Sequence, residues 1–254
     1  MLLVCCAPAT AQDASEDDAG ARDGSIAVPT TIALYDGLGV WPDGFSALQG
    51  AIRSADLELR VVTAAEVRDG VLDDVAALVM GGGWAWDQWQ GLGDDGISAI
   101  RRFVLAGGGY LGICAGAYLA SDDVVWEGTW VAYPLNLFNG TAEGPVPGLP
   151  AWPDAGTAQV ARVDGEHSLQ ASGTLAVYYQ GGGAFVPRDP TEVVPLLRYA
   201  DNSLAALALD AGHGRVVLTG VHLEMEQAAS GAEALSGADN RALLDAILHW
   251  LRAP

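Results

Sequence analysis

Cys114 stands in the segment Gly112-Ile113-Cys114-Ala115-Gly116, and the chain has only two other cysteines, Cys5 and Cys6. A Gly-x-nucleophile-x-Gly segment between an apolar run and a helical pattern reads as a nucleophile elbow. The tight turn needs neighbours without bulk and presents the nucleophile at the carboxyl end of a sheet. The start of the following helix carries partial positive charge, which favours the thiolate. The competing reading is a buried, inert cysteine in a glycine-rich turn, since free cysteine is commonly buried. A second segment favours chemistry. The run 215–220 reads as a strand that ends in Val221-His222-Leu223-Glu224, and a histidine and an acid two apart at a strand end share one side. Glu224 can then accept the proton of one ring nitrogen while the other nitrogen faces the thiol. Glu226 is a second candidate for that acid. His167, His213 and His249 have no acid placed in this way and read as core or surface histidines. A third segment, Gly81-Gly82-Gly83, closes the apolar run 76–80, and its backbone can approach a substrate carbonyl closely. Trp84, Trp86 and Trp89 follow at once. They can wall an apolar or aromatic pocket, or cover the end of the sheet.

Holding these groups together calls for a sheet whose strand ends converge. Short apolar runs at 30–35, 57–63, 76–80 and 110–113 read as strands. Residues 45–54, the stripe Ile97, Ile100, Phe103, Val104 and Leu105, and a restart at Ala115 read as helices. Strand alternating with helix predicts an α/β fold, a mostly parallel sheet with helices on both faces. Residues 124–153 lose that rhythm, are rich in Trp, Pro and Gly, and read as an insertion over the sheet edge. Beyond them, the runs 158–163, 174–179, 193–199, 204–209 and 215–218 look antiparallel. A closing helix over 239–252 carries Leu243, Leu244, Ile247, Leu248 and Leu251 on one stripe, with Asp239 as its cap. Nothing after residue 30 resembles a linker, so residues 28–254 form a single domain.

The chain of 254 residues carries 32 acidic residues against 12 basic ones, all of them Arg, for a formal charge of −20. A surface this acidic repels a phosphate backbone, which excludes nucleic acid as a partner. The absence of lysine excludes a Walker-type phosphate loop and a Schiff-base mechanism. Only five of the acids and one Arg fall within residues 1–24, so the acidity belongs to the domain. Residues 1–6 are apolar, and Ala9-Thr10-Ala11 offers a signal-peptidase pattern. Residues 1–11 are therefore expected to be the end of an export signal, and 12–27 an acidic linker. The protein is then expected in the periplasm or outside the cell, with lipid attachment at Cys5 or Cys6 as a variant; the alternative is a merely frayed apolar terminus on a cytoplasmic protein. No run approaches the roughly 20 apolar residues of a spanning helix.

Three motifs in order carry a resemblance: residues 107–118, Gly-Gly-Gly-Tyr-Leu-Gly-Ile-Cys-Ala-Gly-Ala-Tyr; residues 179–185, Tyr-Gln-Gly-Gly-Gly-Ala-Phe; and residues 220–224, Gly-Val-His-Leu-Glu. They resemble the amino-terminal domain family of biotin-protein ligases, a branch of the class I glutamine-amidotransferase-like superfamily that also occurs as stand-alone bacterial proteins. The resemblance implies a flavodoxin-like three-layer sandwich and a triad of Cys114, His222 and Glu224. It implies an oxyanion hole from Ala115 and the turn containing Gly82 and Gly83, and a cleft lined by Tyr179, Gly181, Gly182 and Trp84. Leu223 stands where class I amidotransferases usually carry proline. No segment matches a synthetase domain, a nucleotide-binding motif, the glutamine-holding residues of true amidotransferases or the ligase's own catalytic domain, so biotinylation is not expected. The expectation is a stand-alone cysteine hydrolase acting on a small amide or peptide-like bond, with no cofactor and no metal. The alternatives are a catalytically silent module that binds a ligand or peptide, and a thiol-based sensor or chaperone.

Overall fold

The computed structural model describes residues 30–252. The export-signal and linker expectations, with Cys5 and Cys6, lie outside the described residues. The chain runs through β1 (Ile32–Tyr35), α1 (Pro42–Ser54), β2 (Leu59–Val62), α2 (Ala64–Arg68), β3 (Ala77–Met80), α3 (Ala85–Leu105), β4 (Gly109–Ile113) and α4 (Ala115–Ala120). It continues with β5 (Ser121–Trp126), β6 (Thr129–Ala132), β7 (Phe138–Gly144), β8 (Gly156–Arg162), β9 (Thr174–Tyr179) and β10 (Ala184–Pro187). The last elements are β11 (Val194–Arg198), β12 (Leu204–Ala211), β13 (Gly214–Thr219) and α5 (Gly237–Leu251).

The heart of the sheet is the order β2-β1-β3-β4-β13, with every neighbouring pair parallel. Its inner strands are apolar without interruption because both faces are covered; β1, β3 and β4 are buried at every position. Alternate residues feed two cores. Ile32, Leu34, Val79, Leu111 and Ile113 face α1 and α5, whereas Tyr35, Leu78, Met80 and Tyr110 face α2, α3 and α4. This is the three-layer α/β architecture the alternating runs imply. In α1, Pro42 occupies the first turn, where no amide donor is needed, and Leu48, Ala51 and Ile52 form the buried stripe. The predicted stripe of α5 is buried in full.

Four expectations are corrected. The run 215–218 is antiparallel to β12 but parallel to β4, so it completes the parallel core. The segment read as an insertion contains β5, β6 and β7, all hydrogen-bonded into the sheet, with β7 paired to β10. The helix read from Ile97 begins twelve residues earlier at Ala85, through a kink at Gly93, where φ is 63°. It therefore takes in Trp86 and Trp89. Ser236, not Asp239, is the cap position of α5, and Asp239 sits in the first turn, where its charge suits the helix dipole. Among the described residues no helix is long and apolar enough to cross a membrane.

Candidate active site

The turn from β4 into α4 places Cys114 at the carboxyl end of the central parallel strands, between β3 and β13. Its backbone has φ 51° and ψ −103°, a combination that L-residues rarely adopt. The conformation is held from both sides. The Cys114 N–H donates to Thr219 O at 2.8 Å, and Cys114 O accepts from the N–H groups of Ala117 and Tyr118. The glycine two residues on is needed for close approach, because a Cβ on Gly116 would lie 2.1 Å from Met80 O. That contact lets α4 start directly against β3.

His222 arrives from the end of β13. Thr219 Oγ1 donates to Val221 O at 2.8 Å and accepts from Val221 N–H, shaping the turn, and the His222 N–H donates to Tyr178 O at 2.9 Å. The imidazole is 1% exposed. Trp41 and Tyr178 meet it edge-on at 5.2 and 5.7 Å. Gly82 closes the space behind it, where a Cβ would come within 2.7 Å of the ring. Nδ1–H donates to Glu224 Oε1 at 2.7 Å, and Glu224 is itself 1% exposed. Cys114 and His222 line the same cavity. Burial opposes charge on the ring, but the Glu224 carboxylate paired with it and the nearby Cys114 thiol together outweigh it. The protonated form of His222 is therefore favoured above the usual histidine range. Glu226, the other acid considered, instead pairs with Arg241 and is largely exposed. His167 packs on Trp250 at 5.1 Å, and the His249 ring bonds Asp245 O in its own helix.

The glycine turn after β3 is braced by three bonds. Gln88 Nε2 donates to Gly81 O at 3.0 Å, Trp41 N–H to Gly82 O at 2.9 Å, and Trp84 N–H to Gly39 O at 2.8 Å. The last two flank the bridge between Val40 and Gly83, and in an antiparallel bridge of that kind the central N–H groups point away from the partner strand. Gly83 thus has its N–H turned outward beside Cys114, where Ala115 begins α4. The predicted site residues otherwise divide. Trp84 and Gly181 line the space beside the thiol, whereas Gly82 backs the imidazole. Tyr179 and Gly182, expected in the cleft, lie beneath it. Tyr179 is 0% exposed, donates to Gly182 O at 2.9 Å and accepts from Val146 N–H at 2.7 Å. Tyr118 and Tyr199 donate in the same way to Gly181 O and Gly183 O, both at 3.1 Å. Three buried phenols thereby fix three successive carbonyls of the glycine run, and burial keeps all three phenols neutral by raising them above the usual tyrosine value. The fixed loop holds Gln180 O 3.8 Å from the Cys114 sulfur.

Cys114 is 6% exposed, yet it borders two cavities. One, about 280 Å³, is walled mainly by Trp84, Trp86, Trp126, Trp152, Tyr118 and Tyr133. The other, about 270 Å³, includes His222, Trp41 and Gln180. Trp126, Trp152 and Trp41 were not singled out from sequence. The density of tryptophan between 124 and 153 was the available signal, but nothing local says that Trp126 and Trp152 fold back beside Cys114. Trp89 does not reach this space; it supports Trp86 at 5.1 Å. A larger cavity, about 580 Å³, lies at the opposite end of the strands against Gly107 and Gly108 and does not include Cys114. Among the described residues no cluster of His, Cys, Asp and Glu could hold a metal.

Comparison with known proteins agrees with this architecture. The biotin--protein ligase of Schizosaccharomyces pombe is 30% identical over 190 residues, which cover 70% of this chain and 30% of that protein. The chain thus corresponds to less than a third of that relative's length. Among solved structures, a glutamine amidotransferase from Thermotoga maritima covers 89% of this chain and 99% of its own, with a TM-score of 0.55 at 12% identity. A cold-adapted β-galactosidase from Rahnella sp. R3 covers 89% of this chain through 32% of its own length, with a TM-score of 0.58 at 14% identity. These likenesses are of fold: an α/β architecture with a mostly parallel central sheet, shared with a glutamine amidotransferase among others. The family described as biotin-protein ligase, N terminal, matches residues 35–249, and the chain belongs to it.

Proposed function

We propose that the protein is a cysteine-dependent amide hydrolase in which Cys114 is the nucleophile, His222 shuttles the proton and Glu224 holds the imidazole. One observation carries the reading: a cysteine in a strained backbone conformation shares a cavity with a buried histidine whose Nδ1 is already paired with a buried carboxylate. The imidazole holds the proton taken from the thiol. Sγ then attacks the substrate carbonyl carbon, forming a C–S bond while the carbonyl electron pair moves onto oxygen. The N–H groups of Gly83 and Ala115 are the donors assigned to that oxygen, a contribution of several kcal/mol to lowering the barrier. As the intermediate collapses, the C–N bond breaks and His222 gives its proton to the departing amine. Water then gives a proton to His222 and attacks the thioester, the carboxylic acid departs, and the sulfur is restored. The balance is one amide and one water to one acid and one amine.

The test combines iodoacetamide labelling of the native protein across pH with hydrolysis of an amide panel. Cys114 is expected to react faster than free cysteine near neutral pH. Hydrolysis should vanish in Cys114→Ser and fall by roughly 10³-fold or more in His222→Ala. Labelling no faster than free cysteine, together with unchanged hydrolysis in Cys114→Ser, would overturn the reading and leave a binding module on the same scaffold.

A further inference from the structure

Resting on that reading, we infer that the tryptophan-walled cavity receives the acyl half of the substrate as a large, neutral, apolar group, and that the amine half leaves through the neighbouring cavity beside His222. The assignment follows from which residues each cavity has to itself. Cys114, Gly83, Trp84, Trp152 and Gln180 border both cavities, so Cys114 and Gly83 stand at their junction. His222 borders only the second, and Trp126 and Tyr118 only the first. A general acid must come within hydrogen-bond reach of the leaving nitrogen, roughly 3 Å. With the carbonyl carbon at the junction, the nitrogen is drawn toward His222. The other substituent of that carbon then points into the aromatic cavity.

The chemistry of the lining sets the kind of group that fits. Among the described residues no Arg, Asp or Glu borders either cavity and His222 borders only the second, so a charged substituent in the aromatic cavity would lose its hydration with no partner to replace it. The Tyr118 hydroxyl is already spent on Gly181 O. A free α-amino acid group, glutamine's included, carries an ammonium and a carboxylate that no described residue lining the aromatic cavity meets. Trp84, Trp126 and Trp152 pack edge-to-face on one another with centroids 5.1–6.3 Å apart. Rings in mutual contact leave no gap for a cation between their faces and form instead a fixed apolar wall, formed before binding. About 280 Å³ is ample for a single aryl ring with a short linker or a fused pair, since a cavity of roughly 150 Å³ already holds benzene.

The experiment uses two isomeric amides with the ring on opposite sides, N-methyl-phenylacetamide and N-benzylacetamide, compared by kcat/KM. Acylation of Cys114 by 4-nitrophenyl phenylacetate and by 4-nitrophenyl acetate is followed in parallel by intact mass, each rate normalised to N-acetylcysteine. The phenylacetyl compound of each pair is expected to lead by at least about 10- to 30-fold. That lead should shrink about tenfold in Trp126→Ala, which enlarges only the aromatic cavity. If Cys114 is acylated without preference for the phenylacetyl group, or N-benzylacetamide is the better amide, the pocket assignment fails while the amide-hydrolase reading stands. If Cys114 is inert to both esters, both fall together. Preferential acylation that Trp126→Ala abolishes supports the assignment even where neither amide is turned over measurably.

Discussion

Cys114 occupies a backbone conformation that glycine adopts freely and other residues adopt at a cost of about 1–3 kcal/mol. Cys114→Gly is therefore expected to raise the thermal midpoint by several degrees while abolishing hydrolysis, and Cys114→Ala to abolish it without that gain; differential scanning calorimetry beside the amide assay distinguishes them. His222 makes stability depend on pH. Its folded value is raised above the unfolded one, so the stabilisation is present in full below about pH 6.5 and is lost as pH climbs through the raised value. Glu224→Gln removes the charge that holds the proton, and denaturant unfolding at a series of pH values should show that loss shifted to lower pH. Cys114, His222 and Glu224 were legible in the sequence because each lies in a short motif whose spacing carries its geometry. Tyr179 and Gly182 were misplaced for the opposite reason: the run containing them is a motif, but whether its side chains face the cleft or the sheet depends on Tyr118 and Tyr199, which come from distant elements.

Elements buried on both sides announce themselves, as the unbroken apolar runs of β1, β3 and β4 show. β7 does not. Its buried positions are Phe138, Gly140, Ala142 and Gly144, so the alternation is real but mostly carried by residues too small to register as hydrophobic. β5 hides for an electrostatic reason. Its Asp122 and Asp123 look like loop residues until Arg188, at the end of β10, pairs with both. Two substitutions test the elements themselves. Gly116→Ala drives a methyl into Met80 O and should cost about 3 kcal/mol, read by urea unfolding, with loss of thiol reactivity because α4 can no longer start where it does. Thr63→Ala breaks the capping box with Glu66 at the start of α2, far from the thiol. It should cost about 1 kcal/mol and leave hydrolysis unchanged, a control that separates stability from chemistry.

The whole chain carries a formal charge of −20, which the fold must hold together against its own repulsion. Raising salt from 10 mM to 0.5 M screens that repulsion and should raise the thermal midpoint, in contrast to a protein stabilised by surface ion pairs. Among the described residues no carboxylate borders the two cavities of the cleft. At this scale the sequence showed the family and the layered fold, because its three motifs recur in order. It did not show the aromatic enclosure, assembled from α3, β5 and the loop before β8. The adjacency of β4 and β13 also has a meaning in time. The two strands lie side by side in the sheet, but about a hundred residues separate them in the chain. A ribosome adding roughly 5–20 residues per second leaves the cysteine without its histidine for on the order of 5–20 seconds after it is made. Cys114 and His222 are thus brought side by side only after the strand that leads into the histidine has been made.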